Sequence, residues 1–228
     1  MVKLALCILS VLLLAVVMPR AAVAAQTMPG WAVLVVDVQA CFVEAENGAL
    51  PVSDTDKRYV KKVNRDTKWL SKKGYLIFGS RDYHPANHIS FVANGGSWPP
   101  HCVQTAGDSR ALVDNNLFFE LVKKGQDPLY DSYSAFKDDG GAETELEAIL
   151  DAQGVNNLIV YGIATDYCVK FTVLDALALG HRVIVVDNLN RGVAEGTTAD
   201  AIAEMTTAGA EFVTRVKDAH KIAKESSE

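Results

Sequence analysis

The chain has 228 residues, 49% of them hydrophobic and only 7 of them proline, which suffices for one sizeable core and excludes a largely disordered protein. Its 28 acidic residues outnumber 22 basic ones and no basic run interrupts them, which argues against nucleic acid or an anionic membrane as partner. A small, neutral substrate fits such a surface better.

The first residues differ from the rest. Lys3 precedes an apolar run from Leu4 to Met18, then come Pro19, Arg20 and a small-residue segment through Ala22, Val23, Ala24 and Ala25. A positive start, an apolar centre and a small-x-small site are the parts of a secretory signal peptide, with cleavage near Ala24 or Ala25. The alternative, a retained anchor, wants roughly 20 apolar residues, and this run is shorter. The expected organisation is a signal peptide over 1–25 and a single domain over 26–228, secreted or periplasmic and free of the membrane after cleavage. Removing Lys3 and Arg20 takes the basic count from 22 to 20 against an unchanged 28 acidic residues. Cys41, Cys102 and Cys168 then remain, an odd number in a disulfide-permissive compartment, so at least one thiol is free. A Cys41–Cys102 bridge stays open, because spacing does not decide it.

After the leader, WAVLVVDV (31–38) reads as a strand, 55–73 as an amphipathic helix, GYLIFGS (74–80) and FFELVKK (118–124) as strands. Segment 142–153 has helical periodicity, NNLIVYG (156–162) is a strand, 167–180 a helix and HRVIVVD (181–187) a strand. A helix over 196–208 and a strand AEFVTR (210–215) follow, and the charged tail from Val216 closes the chain as a fraying helix. The strands at 31, 156 and 181 are continuous apolar runs, the pattern of strands buried on both faces. This alternation predicts an α/β fold, three-layer and doubly wound, with about six parallel strands and helices on both faces. In such sheets the site lies beyond the carboxyl ends of the strands.

The chemically capable residues fall there. Cys168 follows a strand where a helix begins, and a thiol at a helix N-terminus is favoured as thiolate and has N–H groups nearby for an oxyanion; most free cysteines are instead buried small hydrophobes. Asp37 ends an apolar strand, where a carboxylate needs a partner or a task such as general base, the simpler reading being a loop cap. Lys124 completes a triad by holding Asp37 ionised and stabilising thiolate. Lys123 is its decoy, since adjacent strand residues point opposite ways. Asp82 and His84, two apart in an extended segment, together with His88 and His101, suit zinc, iron or manganese with positions left open. Three of the five histidines lie in this stretch, and His181 and His220 are expected at the surface.

VVDVQ (35–39), SRDYHPANHISF (80–91), SWPPHC (97–102), DSYSAF (131–136) and GIATDYC (162–168), in this order and spacing, resemble the nicotinamidase/pyrazinamidase branch of the isochorismatase-like cysteine hydrolases. The likeness runs over about 31–213, and the metal motif with SWPPHC separates this branch from sibling isochorismatases and carbamoyl-amide hydrolases. It implies conversion of nicotinamide, and of pyrazinamide, to the acid and ammonia through a thioester, in the salvage of NAD. It further implies Asp37 as base, Lys124 as triad lysine, Cys168 as nucleophile, and Asp82, His84 and His101 as ligands of a divalent metal, zinc foremost, with His88 matching a fourth ligand used in some members. Phe42, Trp98 and Tyr133 correspond to the aromatic substrate walls, with Ile163 and Ala164 beside them. The Ile163–Ala164 peptide corresponds to one that is cis, presenting the Ala164 N–H together with that of Cys168 to an oxyanion.

Two departures stand out. Cys41 takes a place where many members have an acid, which would expose the site to oxidants, and Tyr167 takes one where some have histidine. Alternatives are another small-amide hydrolase of the same fold, separable by a substrate panel, and a non-catalytic secreted metal- or pyridine-binding protein, marked by binding without ammonia release. Homo-oligomer formation is left open.

Overall fold

In a computed structural model, residues 28–227 are described. The expected leader over 1–25 lies outside them.

Six strands form one parallel sheet: β1 (Trp31–Val36), β2 (Leu76–Asp82), β3 (Glu120–Lys124), β4 (Asn157–Gly162), β5 (Arg182–Val186) and β6 (Glu211–Val213). Their order across the sheet is β3-β2-β1-β4-β5-β6, so the direction of winding reverses between β1 and β4. That reversal opens a crevice at the carboxyl ends of these two central strands. The six apolar runs were legible in the sequence, but β1 stops at Val36, so Asp37 lies just beyond it, whereas Asp82 and Lys124 are the last residues of their strands.

Every residue of β1 is buried because both faces of the sheet are covered. Val33 and Val35 pack towards α1 (Lys57–Lys72) and α5 (Val216–Glu225), meeting Tyr59, Val63, Leu70, Val216 and Ala219. Ala32, Leu34 and Val36 face α2 (Leu146–Ala152), α3 (Lys170–Ala178) and α4 (Glu195–Ala208), meeting Leu150, Val173 and Met205. Three layers result, as the alternating sequence implies. Helix α1 shows the local logic: Asp56 accepts from the amides of Arg58 and Tyr59 at its start, and Tyr59, Val63, Thr67 and Leu70 make its buried face.

Some boundaries differ from expectation. Residues 142–145 precede α2 without joining it, and Lys137 and Glu143 instead form an isolated antiparallel bridge. Before α3, Thr165–Val169 form one wider π-helical turn, a feature frequent at functional sites. His181 is buried and bonded to Glu147, and His220 packs on Trp69 and bonds Tyr75, so neither is the free surface residue expected from its position outside the histidine cluster.

Gly162 ends β4 with φ +149°, and a Cβ there would fall 1.9 Å from the Val36 carbonyl oxygen. Only glycine lets the two central strands run side by side up to the crevice.

Candidate active site and metal centre

Four strand ends converge in the crevice. Asp37 follows β1 at φ +47°, a conformation uncommon for residues with a Cβ, and it is wholly buried. Ser80 on β2 donates a 2.7 Å hydrogen bond to its Oδ1, while Oδ2 lies 3.0 Å from Lys124 Nζ. Lys124, itself buried, also donates to the Ser132 carbonyl at 2.6 Å and to Cys168 Sγ at 3.6 Å. Lys123 points away and lies over the ring of Tyr83. The structure thus brings Asp37, Lys124 and Cys168 together, and it separates the lysine from its decoy as strand alternation requires.

The electrostatics follow from this burial. Desolvation raises the Asp37 pKa above its ordinary value despite the opposing charge of Lys124, and Asp82 adds to the rise. Burial alone would lower Lys124, but Asp37 and Asp82 more than offset it and keep the ammonium charged. Burial also pushes the Cys168 thiol well up, Lys124 opposing and Asp37 and Asp82 reinforcing. Burial thus opposes the pull of the helix terminus and favours the protonated thiol beside Asp37. A carboxylate of raised basicity beside a protonated thiol is the arrangement that general-base activation needs.

Asp82 joins this group to a second. Its Oδ1 meets Lys124 Nζ at 2.5 Å, and its Oδ2 lies 3.4 Å from His84 Nε2 and 3.9 Å from His101 Nε2. The outer nitrogens of both rings are committed: His84 Nδ1 donates to the Gly125 carbonyl at 2.9 Å and His101 Nδ1 to the Pro99 carbonyl at 2.8 Å. That leaves a lone pair on each Nε2, and His84 Nε2 is buried without a hydrogen-bond partner. Ligand atoms of Asp82, His84 and His101 all lie within 4.8 Å of one another. Two imidazoles oriented by backbone carbonyls and one carboxylate fit a divalent ion with open positions.

His88 is not brought into this set. Its Nε2 donates to the Tyr130 carbonyl at 3.0 Å and its Nδ1 pairs with Ser90 Oγ at 2.7 Å, so both nitrogens are occupied. Burial and the neighbouring His84 push its pKa down to about 4. The ring stacks on His84 with centroids 4.1 Å apart, which makes it a support for a ligand where a fourth ligand was expected.

A cleft leads to Cys168 and is lined by Phe42, Trp98, Tyr133, Tyr167, Ala164 and Val193 among others. Trp98 Nε1 donates to the Tyr133 hydroxyl at 2.9 Å and its ring meets Tyr167 edge-on, while Phe42 lies against His101. Ile163 does not line the cleft; its side chain belongs to the core behind it. The Ile163–Ala164 peptide is cis.

Residues that carry no sequence signal of their own complete the site. The Gln39 amide donates to the carbonyls of Asp82 and Ser109 and accepts from the Asp82 N–H, pinning the strand end that bears the shared carboxylate. Asp166, two residues before the nucleophile, accepts from the amides of Val193 and Ala194 and from the Thr197 hydroxyl, tying the nucleophile turn to the loop that carries Val193. Gly125, at φ +62°, approaches so near that a Cβ would lie 2.3 Å from the His84 ring. A buried glutamine two residues after Asp37 and a glycine directly after Lys124 are the only sequence hints of these roles. Cys41 and Cys102 are joined in a disulfide, so neither is a free thiol, and Cys168 is the free one among the described residues.

Comparison with known proteins places these residues in context. The isochorismatase domain family matches residues 31–216. The nicotinamidase of Escherichia coli (strain K12) is 40% identical over 207 residues, covering 82% of this chain and 96% of the relative. The pyrazinamidase of Pyrococcus horikoshii, solved in complex with zinc, is 37% identical with a TM-score of 0.74, covering 81% of this chain and 99% of its own. PnC1 of L. infantum, solved in complex with nicotinate, is 31% identical with a TM-score of 0.75, covering 82% of this chain and 93% of its own.

Proposed function

The chain belongs to the isochorismatase domain family, and from that premise we propose that it is a nicotinamidase, a cysteine amidohydrolase that converts nicotinamide to nicotinate and ammonia and also accepts pyrazinamide. The observation that carries this reading is the single lysine, Lys124, bonded at once to Asp37, Asp82 and Cys168 at the foot of an aromatic cleft. It couples a nucleophile–base pair to a metal-type ligand group in one place.

In the proposed reaction the carboxamide carbon lies over Cys168, with the pyridine ring between Phe42 on one side and Trp98 and Tyr133 on the other. Asp37 takes the thiol proton as sulfur attacks, and the C–S bond forms while the amides of Ala164 and Cys168 hold the oxyanion. The C–N bond then breaks and Asp37 returns the proton to the departing ammonia. Water, deprotonated by the same carboxylate, cleaves the thioester, releasing nicotinate and restoring the thiol. Lys124 stays protonated throughout and offsets the charge that passes between Asp37 and Cys168. Asp82, His84 and His101 would hold a divalent ion, zinc in the first instance, the metal with which the P. horikoshii relative was solved. When bound, it supplies a Lewis-acidic centre that orients the ring nitrogen of the substrate.

The leader-like sequence and the Cys41–Cys102 disulfide both support a secreted or periplasmic location, since such bonds persist in oxidising compartments. The activity is tested by ammonia release from nicotinamide by the purified chain beside Cys168→Ala, with benzamide as the analogue lacking a ring nitrogen. Turnover of nicotinamide by the parent alone, with benzamide poor, is expected. No turnover by metal-loaded, folded protein would overturn the assignment.

A further inference from the structure

The reaction uses neither Cys41 nor Cys102, yet the two are bonded across 61 residues of sequence and both are fully buried. Each is the immediate neighbour of a cleft residue. Cys41 precedes Phe42, Cys102 follows His101, and the Phe42 and His101 rings lie 5.5 Å apart between centroids. Two successive residues of one segment are therefore fastened to two successive residues of another, one pair by a covalent bond and the other by ring packing.

The fastening extends through the backbone. The Cys102 carbonyl accepts from the His84 amide at 3.1 Å, and the His84 carbonyl accepts from Gln104 at 2.9 Å. Asp108 receives both cysteines, its carbonyl from the Cys41 amide at 2.9 Å and its carboxylate from the Cys102 amide at 3.2 Å. Cys102 itself sits at φ +48°, a left-handed conformation that a residue with a Cβ adopts only where its surroundings hold it. The segment bearing His101 has no strand or helix of its own, and its backbone pairing is limited to isolated bridges, Phe91 with Trp98 and His84 with Val103. A ligand on such a loop keeps its place only through tertiary ties, and the disulfide is the covalent one.

We propose that the Cys41–Cys102 disulfide is a positioning element of the metal centre: it fixes His101 beside Asp82 and His84, and Phe42 over the same cleft, so that divalent-metal affinity and ring binding depend on this pair being oxidised. The inference rests on the metal assignment above and adds a dependence on redox state. Reduction cleaves the S–S bond with two electrons and two protons to leave two thiols; a dithiol reductant supplies both and closes to its own cyclic disulfide.

The test is a cobalt(II) titration of the metal-stripped chain, followed by visible absorption, with zinc competition, for the parent and for Cys41→Ser/Cys102→Ser. The double variant is expected to bind cobalt roughly tenfold more weakly or worse, the scale on which loss of groups supporting a metal site is felt. Its absorption band should change, and KM for nicotinamide should rise more than kcat falls. Val216→Ala, a core truncation on α5, serves as a control that lowers Tm without changing the cobalt spectrum or Kd. Equal affinity and an equal spectrum in the double variant would overturn the proposal, as would free thiols at Cys41 and Cys102 in protein prepared without reductant. If the parent binds no cobalt, the metal assignment fails and the inference falls with it, a result distinct from the first. Should the double variant not fold, the parent reduced by a dithiol and then freed of it provides the same comparison, with weaker cobalt binding expected and unchanged binding overturning the proposal.

Discussion

Asp82 and Lys124 are register partners at the carboxyl ends of two paired parallel strands, and Asp82 divides its oxygens between two tasks, Oδ1 to the Lys124 ammonium and Oδ2 towards His84 and His101. One carboxylate thereby links the hydrolytic group to the metal group. Burial would raise its pKa, but the Lys124 ammonium beside it holds it well below the usual carboxylate range, ionised for both roles.

Lys124→Met removes the cation that lies between Asp37 and Asp82 and leaves two buried carboxylates facing each other. Breaking a buried pair in this way costs about 3–5 kcal/mol. Urea denaturation should show a loss of that size, and ammonia release should fall to near background even where the variant is still folded.

Asp37→Asn removes the base, and kcat is expected to fall by about 10²–10⁴, the usual contribution of a positioned general base. In the parent, burial places the Asp37 pKa above its ordinary 3.8. Lowering the pH through that raised value protonates the base, so kcat/KM should decline on the acid side at a pH above 3.8. An acid limb at or below the ordinary value would remove Asp37 from the base role.

His101→Ala and His88→Gln should separate ligand from support. His101 offers a free Nε2 to the metal group, whereas both nitrogens of His88 are bonded to protein. Metal content after dialysis should collapse in the first variant and fall by no more than about tenfold in the second, since His88 acts only by stacking on His84. Equal collapse in both would return His88 to the ligand set.

Gly125→Ala introduces a Cβ 2.3 Å from the His84 ring at a position with φ +62°. The ring must move, and its bond to the Gly125 carbonyl with it. Metal affinity should weaken by about 10–100-fold, the range found when a ligand's supporting bond is lost, while the far-UV spectrum stays that of the parent. Isothermal titration with zinc reads the first and circular dichroism the second.

Local pattern was enough for much of this protein. Short, β-branched continuous apolar runs read as strands covered on both faces, so the parallel sheet and the crevice at its carboxyl ends followed from the order of β1, β4 and β5 with the helices between them. Asp37 and Lys124 were legible as charged residues where strands end, Cys168 as a thiol where a helix begins after a strand, and the two-residue spacing of Asp82 and His84 sends both side chains the same way.

Contacts between segments distant in sequence were decided by the tertiary structure alone. Spacing left Cys41 and Cys102 unpaired until β1 and the loop after β2 were brought together, and it left His88 open as a ligand until Ser90 and Tyr130 took both its nitrogens. Burial, a property of the whole fold, pushes the Cys168 thiol's pKa up against the pull of the helix terminus and places Ile163 in the core behind the cleft. Residue type and periodicity are written along the chain and set which chemistry is available; solvent exclusion and side-chain pairing depend on what packs across from each residue, and only the folded arrangement specifies that.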